Sequence, residues 1–119
     1  MNIEQVRECA LSLPGVTEDM PFGDDHVVFR IEGKIFLCLS LETAEAHFAL
    51  KLSPERNEEL RAQYSAITPA WHWNKKHWSD IYYARDLSNT QLSGWIAESY
   101  RLMVQKLPQA VRSRYEGNY

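Results

Sequence analysis

The sequence predicts an α+β protein. An antiparallel sheet of about five to six strands carries an N-terminal helix, a middle helix and a long C-terminal helix, in the order α-β(3-4)-α-β(2)-α. Three observations predict it. Capped apolar stripes of helical period stand at both ends of the chain, β-branched and aromatic runs fill the first half, and a two-residue Glu-Gly connection joins two of those runs.

Asn2 and Gln5 form a capping pair, and Ile3, Val6, Ala10 and Leu13 share a helical stripe that ends at Pro14-Gly15. A short extended piece from Val16 to Met20 runs into P-F-G-D-D, whose proline, glycine and aspartates form a turn with Phe22 as a plug over the sheet. H-V-V-F-R-I, Glu32-Gly33 and K-I-F-L-C-L-S-L then make a hairpin, with Ile31 opposite Lys34 and Phe29 opposite Phe36. Strict alternation puts Ile35, Leu37, Leu39 and Leu41 on one face of the second strand and Phe36 and Cys38 on the other. Such a strand needs cover on both faces.

A-H-F-A-L-K-L continues the sheet, with Phe48, Leu50 and Leu52 alternating against His47, Ala49 and Lys51. Ser53-Pro54 caps a charged helix that runs to about Gln63 and has few apolar positions, as a surface helix does. I-T-P-A-W-H and S-D-I-Y-Y-A are two further strands joined by W-N-K-K-H-W. Ser88 and Gln91 repeat the capping pattern before a long stripe of Leu92, Trp95, Ile96, Tyr100, Met103, Val104 and Leu107. Pro108 breaks this helix, and residues 109–115 form a short basic turn before a frayed Gly-Asn-Tyr end.

A length of 119 residues suits one domain over the whole chain, and 45% hydrophobic with 24% charged residues describes a globular protein. No apolar run approaches the roughly 20 residues of a membrane span, and the N-terminus lacks a basic region followed by an apolar one, so a cytoplasmic protein without a membrane partner is expected. Cys9 and Cys38 have no ligand-spaced neighbours and are expected to be reduced, buried hydrophobes. The net charge of −3 argues against indiscriminate DNA binding, yet it divides into −6 over residues 1–66 and +3 over 67–119.

The block P-A-W-H-W-N-K-K-H-W at 69–78 carries most of the chemistry. In a nucleic-acid reading, Lys75 and Lys76 meet phosphates, His72 and Asn74 hydrogen-bond, and an exposed Trp71 or Trp73 is a stacking or wedge surface. In a packing reading, Trp78 and one other tryptophan are core, Asn74-Lys75 is a turn, and the histidines support it. Both hold together if the loop buries Trp78 and presents its lysines. His72 and His77 lack a third ligand at metal spacing, although Asp80 is near in sequence; no metal or small-molecule cofactor is expected. Asp24 and Asp25 adjoin His26, but the aspartates are read with Gly23 as turn residues rather than as a carboxylate pair facing one pocket. There is no phosphate loop, nucleophile elbow or reactive-cysteine context, so no catalytic residues are assigned and an enzyme is not expected.

Four segments, L-P-G-V-T-E-D-M-P-F-G (13–23), G-K-I-F (33–36), L-K-L-S-P-E (50–55) and the 69–78 block, together resemble the MmcQ/YjbR family of small bacterial proteins. Pro69, His72, Asn74, Lys75, His77 and Trp78 match the family's pattern, whereas Trp71 and Trp73 are this chain's additions. The resemblance implies a fold similar to type III secretion chaperones and a double-wing DNA-binding role. The expected contact set is therefore His72, Trp73, Asn74, Lys75, Lys76 and His77. Arg112 and Arg114 join it if the C-terminal turn folds back toward the loop. With about three cations on phosphate, the log–log salt slope on duplex DNA would be about −2.7. The rival expectation is a protein-interaction module that dimerises or holds a partner chain through an exposed apolar sheet face around Val28, Leu37 and Leu39.

Overall fold

The computed structural model describes residues 1–116, and the Gly-Asn-Tyr end expected to fray lies outside the described residues. Asn2 and Gln5 close a reciprocal capping box that opens α1 (Ile3–Leu11). β1 (Val16–Asp19), β2 (His26–Ile31), β3 (Lys34–Ser40) and β4 (Phe48–Lys51) follow. α2 (Pro54–Gln63) starts at the Ser53 cap with proline in its first turn. β5 (Ile67–Pro69) and β6 (Trp78–Ile81) are shorter than the sequence suggests, and α3 (Asn89–Gln105) and a one-turn α4 (Gln109–Arg112) complete the order. The six strands form one sheet in the order β1-β2-β3-β4-β6-β5, and every neighbouring pair is antiparallel. Among the described residues no helix is long and apolar enough to cross a membrane.

The β2–β3 turn has φ of 48° at Glu32 and 78° at Gly33, the left-handed pair that a two-residue hairpin connection requires. Ile31 faces Lys34 as expected, but Phe29 faces Leu37 rather than Phe36. A β-bulge causes the difference: Arg30 pairs with Ile35, so Phe36 is the extra residue. The bulge also revises the faces. Phe36 joins Leu37 and Leu39 in the helix-side core, and Ile35 joins Cys38 on the other face. That switch lets Phe36 pack edge-on to Tyr100 of α3, with ring centroids 6.1 Å apart.

The helix-side core unites Val6 and Ala10 of α1, Leu37, Leu39, Phe48 and Leu50 of the sheet, and Leu92, Trp95, Ile96, Tyr100, Met103 and Val104 of α3. The opposite, open face carries a smaller cluster of Val28, Cys38, Ala49, Ala70 and Trp78, flanked by Ile35 and Trp73. Its cover is the β5–β6 loop. Val28, Leu37 and Leu39 therefore do not make an exposed apolar face: all three are buried, and they divide between the two sides of the sheet.

α2 anchors that loop with polar side chains. Asn57, only 1% exposed, donates from Nδ2 to the Leu52 and Lys76 carbonyls, 3.1 Å each, and its Oδ1 accepts from the Ser79 hydroxyl at 2.6 Å. One turn later the Arg61 guanidinium donates to Ser79 Oγ at 3.0 Å, to the Trp78 carbonyl at 2.7 Å and to the Lys75 carbonyl. Burial pulls the Arg61 pKa down, partly offset by Glu58. Replacing Asn57 with alanine strands a buried hydroxyl and two carbonyls, and is expected to cost about 2–4 kcal/mol in urea denaturation. Hydrogen exchange should also accelerate at the Leu52 amide, which donates to the His77 carbonyl. Trp78→Ala should cost about 3–5 kcal/mol by the same measurement, against about 1–2 kcal/mol for the half-buried Trp73→Ala.

Candidate functional site

The loop between β5 and β6 is organised by its own side chains. Asn74 accepts from the Lys76 amide through Oδ1 at 2.9 Å, and its carbonyl accepts from the His77 and Trp78 amides at 3.2 and 2.9 Å. Lys75 turns back across the loop, donating to the Ala70 carbonyl at 2.7 Å and the Trp71 carbonyl at 3.3 Å. Its ammonium lies 5.8 Å from the Trp71 ring centroid. Trp73 stacks on Trp78 with centroids 4.3 Å apart, whereas Trp71 is 77% exposed.

The expected contact residues thus divide. His72, Asn74 and Lys76 are exposed, and Trp73 and His77 are partly buried. Lys75, although exposed overall, uses its ammonium as a staple. Arg112 and Arg114 do not join the loop. Arg112 pairs with Glu116 at 3.1 Å, and Arg114 approaches Glu32 of the β2–β3 turn at 3.8 Å. Val111 and Tyr115 pack against the helix-side core, and Tyr115 lies so close to Gly15 that an added Cβ there would be 2.6 Å from its ring. This docking holds the C-terminal turn beside β1, at the opposite edge of the sheet from β5.

One cation outside the expected contact set, Lys51, lies beside the loop. Lys51 is the sheet partner of Trp78, two residues beyond Lys76. Burial, then Lys106, then Lys34 pull its ammonium pKa below the ordinary lysine value. Lys51 thus feels positive charge from the end of α3 and from the start of β3 as well as its own burial. Its distance along the chain from the loop hid this placement.

Beside the loop the open face is concave. A cleft of about 370 Å³ is lined by Phe22, Asp25, His26, Cys38, Ser40, His47, Ala49, His72, Trp73 and Asp80. Its floor is a cross-strand row in which Cys38 pairs with Ala49 and Ala49 with Asp80. Asp80 is 4% exposed, and its Oδ2 accepts from the Trp71 amide at 3.1 Å. His26 Nδ1 meets Asp25 Oδ1 at 3.0 Å, and the His26 and His72 rings lie edge-on at 6.5 Å. His47 Nδ1 lies 2.9 Å from the Glu45 carbonyl, so in the neutral ring Nδ1 donates and Nε2 accepts from Ser40 Oγ at 3.3 Å. Burial, with smaller contributions from Asp80 and Asp25, pushes the Cys38 thiol up to about 11, so it is protonated near neutral pH.

P-F-G-D-D does form a turn, but Asp25 and His26 both face the cleft, because Asp25 precedes β2 and escapes strand alternation. Phe22 is a rim residue rather than a buried plug: it is 58% exposed and packs edge-on to Trp73 at 6.0 Å. Among the described residues no group of three or more His, Cys, Asp or Glu side chains is placed to hold a metal ion. The cleft was not legible in the sequence, since it draws on five separated segments. Their one shared signal was the scatter of histidines through strand ends and turns.

Other proteins share this fold and resemble the chain over most of its length. The chain is 34% identical over 111 residues to the Escherichia coli O157:H7 protein YbdF, covering 93% of this chain and 91% of that one. It is 29% identical over 112 residues to YjbR of Escherichia coli K12, covering 94% and 95%. Both relatives are described as uncharacterized. The crystal structure of Deinococcus radiodurans DR2400, of the domain DUF419, matches with a TM-score of 0.88 and 27% identity, over 99% of this chain and 94% of that one. A Pseudomonas syringae protein matches with a TM-score of 0.74 and 26% identity, over 86% and 98%. The YjbR family model matches residues 11–102, and the chain belongs to the YjbR family.

Proposed function

We propose that this protein binds nucleic acid, without catalysis, and that it takes single strands weakly through Trp71, His72 and Lys76 with Lys51 behind them. The observation that carries the reading is the 77% exposure of Trp71. A tryptophan normally hides much of its surface, and base stacking on such a ring is worth about 1–3 kcal/mol per base. The ring is held from below by Lys75 and from the side by His72, whose ring centroid is 6.4 Å away. A phosphate next to a base stacked there would meet Lys76.

This geometry favours single strands over the wide face of a duplex. With Lys75 committed to the loop and Arg112 and Arg114 at the far edge, Lys76 and Lys51 are the phosphate partners, and the salt slope expected on a single strand is about −1.4. Met20 and Phe22, the other exposed large apolar residues, favour a second reading, in which a protein partner, a second copy of the chain included, docks over this surface. Salt separates the two, since apolar docking is nearly insensitive to it.

Fluorescence anisotropy of labelled oligothymidine, titrated at several salt concentrations, tests the proposal. Trp71→Ala should weaken binding about fivefold or more, and Lys76→Glu should flatten the slope by about 0.7. Both residues are exposed, so both variants should keep the wild-type urea midpoint. Unchanged affinity in Trp71→Ala would remove the stacking platform and the reading with it.

A further inference from the structure

We propose that the cleft on the open sheet face is a binding site for a small flat nitrogen compound, cationic or neutral, such as an aromatic amine or a heterocycle that presents N–H groups. This site is distinct from the Trp71 platform. It asks for a different ligand and shares only the bordering His72 with that platform.

Shape comes first. Cys38, Ser40 and Ala49 are small, and they stand where a sheet face covered by packing would carry larger apolar side chains. Phe22 and Trp73 raise an aromatic wall at one side of this floor, and Trp73 is backed by Trp78, so the wall is stiff. A recess with an aromatic side and a volume of about 370 Å³ is at the small end of ligand sites, suited to a one- or two-ring compound. Phe22 stays 58% exposed, which leaves apolar surface at the rim for an occupant to cover.

Charge then selects among ring compounds. The lining includes Asp25 and Asp80 together with His26, His47 and His72, and neither lysine nor arginine. A carboxylate or phosphate ligand would meet two acids with no opposing fixed cation, whereas an amine or ring N–H would find acceptors. Both carboxylates act on the floor, since both are felt by the Cys38 thiol. His26 Nδ1 is taken by Asp25, so its neutral ring keeps Nε2 as an acceptor, whereas His47 spends Nδ1 on the Glu45 carbonyl and Nε2 on the Ser40 hydroxyl. The polar rim thus leans toward accepting hydrogen bonds.

The test is a titration of the isotope-labelled full chain, followed by amide shifts, with three probes of one ring system: tryptamine, indole and indole-3-acetate. Tryptamine should give saturable shifts at Cys38, Ala49 and Asp80. Indole-3-acetate should bind about tenfold or more weakly, the size of one charge-assisted hydrogen bond. Ala49→Leu should fill the floor and abolish binding. If that variant does not fold, Phe22→Ala carries the test, because this exposed residue can be removed without opening the core; it should weaken tryptamine about fivefold. Trp71→Ala should bind tryptamine as wild type does, which separates this cleft from the nucleic-acid surface. No saturation with any probe up to about 5 mM, an acid that binds as tightly as the amine, or an unaffected Phe22→Ala protein would overturn the proposal.

Discussion

The polar clamp from α2 is the interaction on which the open face depends. Asn57 and Arg61 together satisfy the carbonyls of Leu52, Lys75, Lys76 and Trp78, and both engage the buried Ser79 hydroxyl. An eight-residue loop cannot lie against a sheet unless its backbone groups find partners, and water is excluded where Asn57 sits. The clamp supplies those partners from a helix with little apolar surface. It explains why α2 docks at all: Leu60 gives it one apolar anchor, and the hydrogen bonds give it orientation.

With the loop fixed, the two faces of the sheet acquire different characters. Large side chains fill the space between the sheet and α1 and α3, and the bulge at Phe36 adds one more aromatic ring to that side than strict alternation would deliver. The other side carries small residues along Cys38 and Ala49, with the Trp73–Trp78 stack covering one end. A concavity between them follows directly. Tight packing on one face and a recess on the other are two results of one strand pattern.

The loop also has two outer surfaces with separate chemistry. Trp71 and Lys76 are exposed on one side, where the proposed base and phosphate contacts would fall, while His72 and Trp73 border a recess with acidic groups on its floor and rim. The Trp71 amide bond to Asp80 joins the two, so the buried carboxylate also helps to hold the exposed tryptophan in place. An overall charge of −3 is compatible with this arrangement, because no lysine or arginine lines the cleft that holds Asp25 and Asp80.

By itself the sequence determined the helices, their caps, the Glu32-Gly33 turn and the family, because each rests on residues a few positions apart. Asn2 with Gln5, Ser88 with Gln91 and the stripe from Leu92 to Val104 are local patterns with local causes. It also placed the chemistry in the 69–78 block. Tertiary structure decided which of those residues remain available. Lys75 was turned into a staple, Trp73 onto Trp78, and Arg112 and Arg114 to the far edge by the docking of Tyr115. It alone assembled the cleft and set Lys51 beside Trp78. The physical reason is that side-chain direction depends on the bulge, on strand register and on the clamp from α2, and each of these is set by contacts between residues distant in the chain.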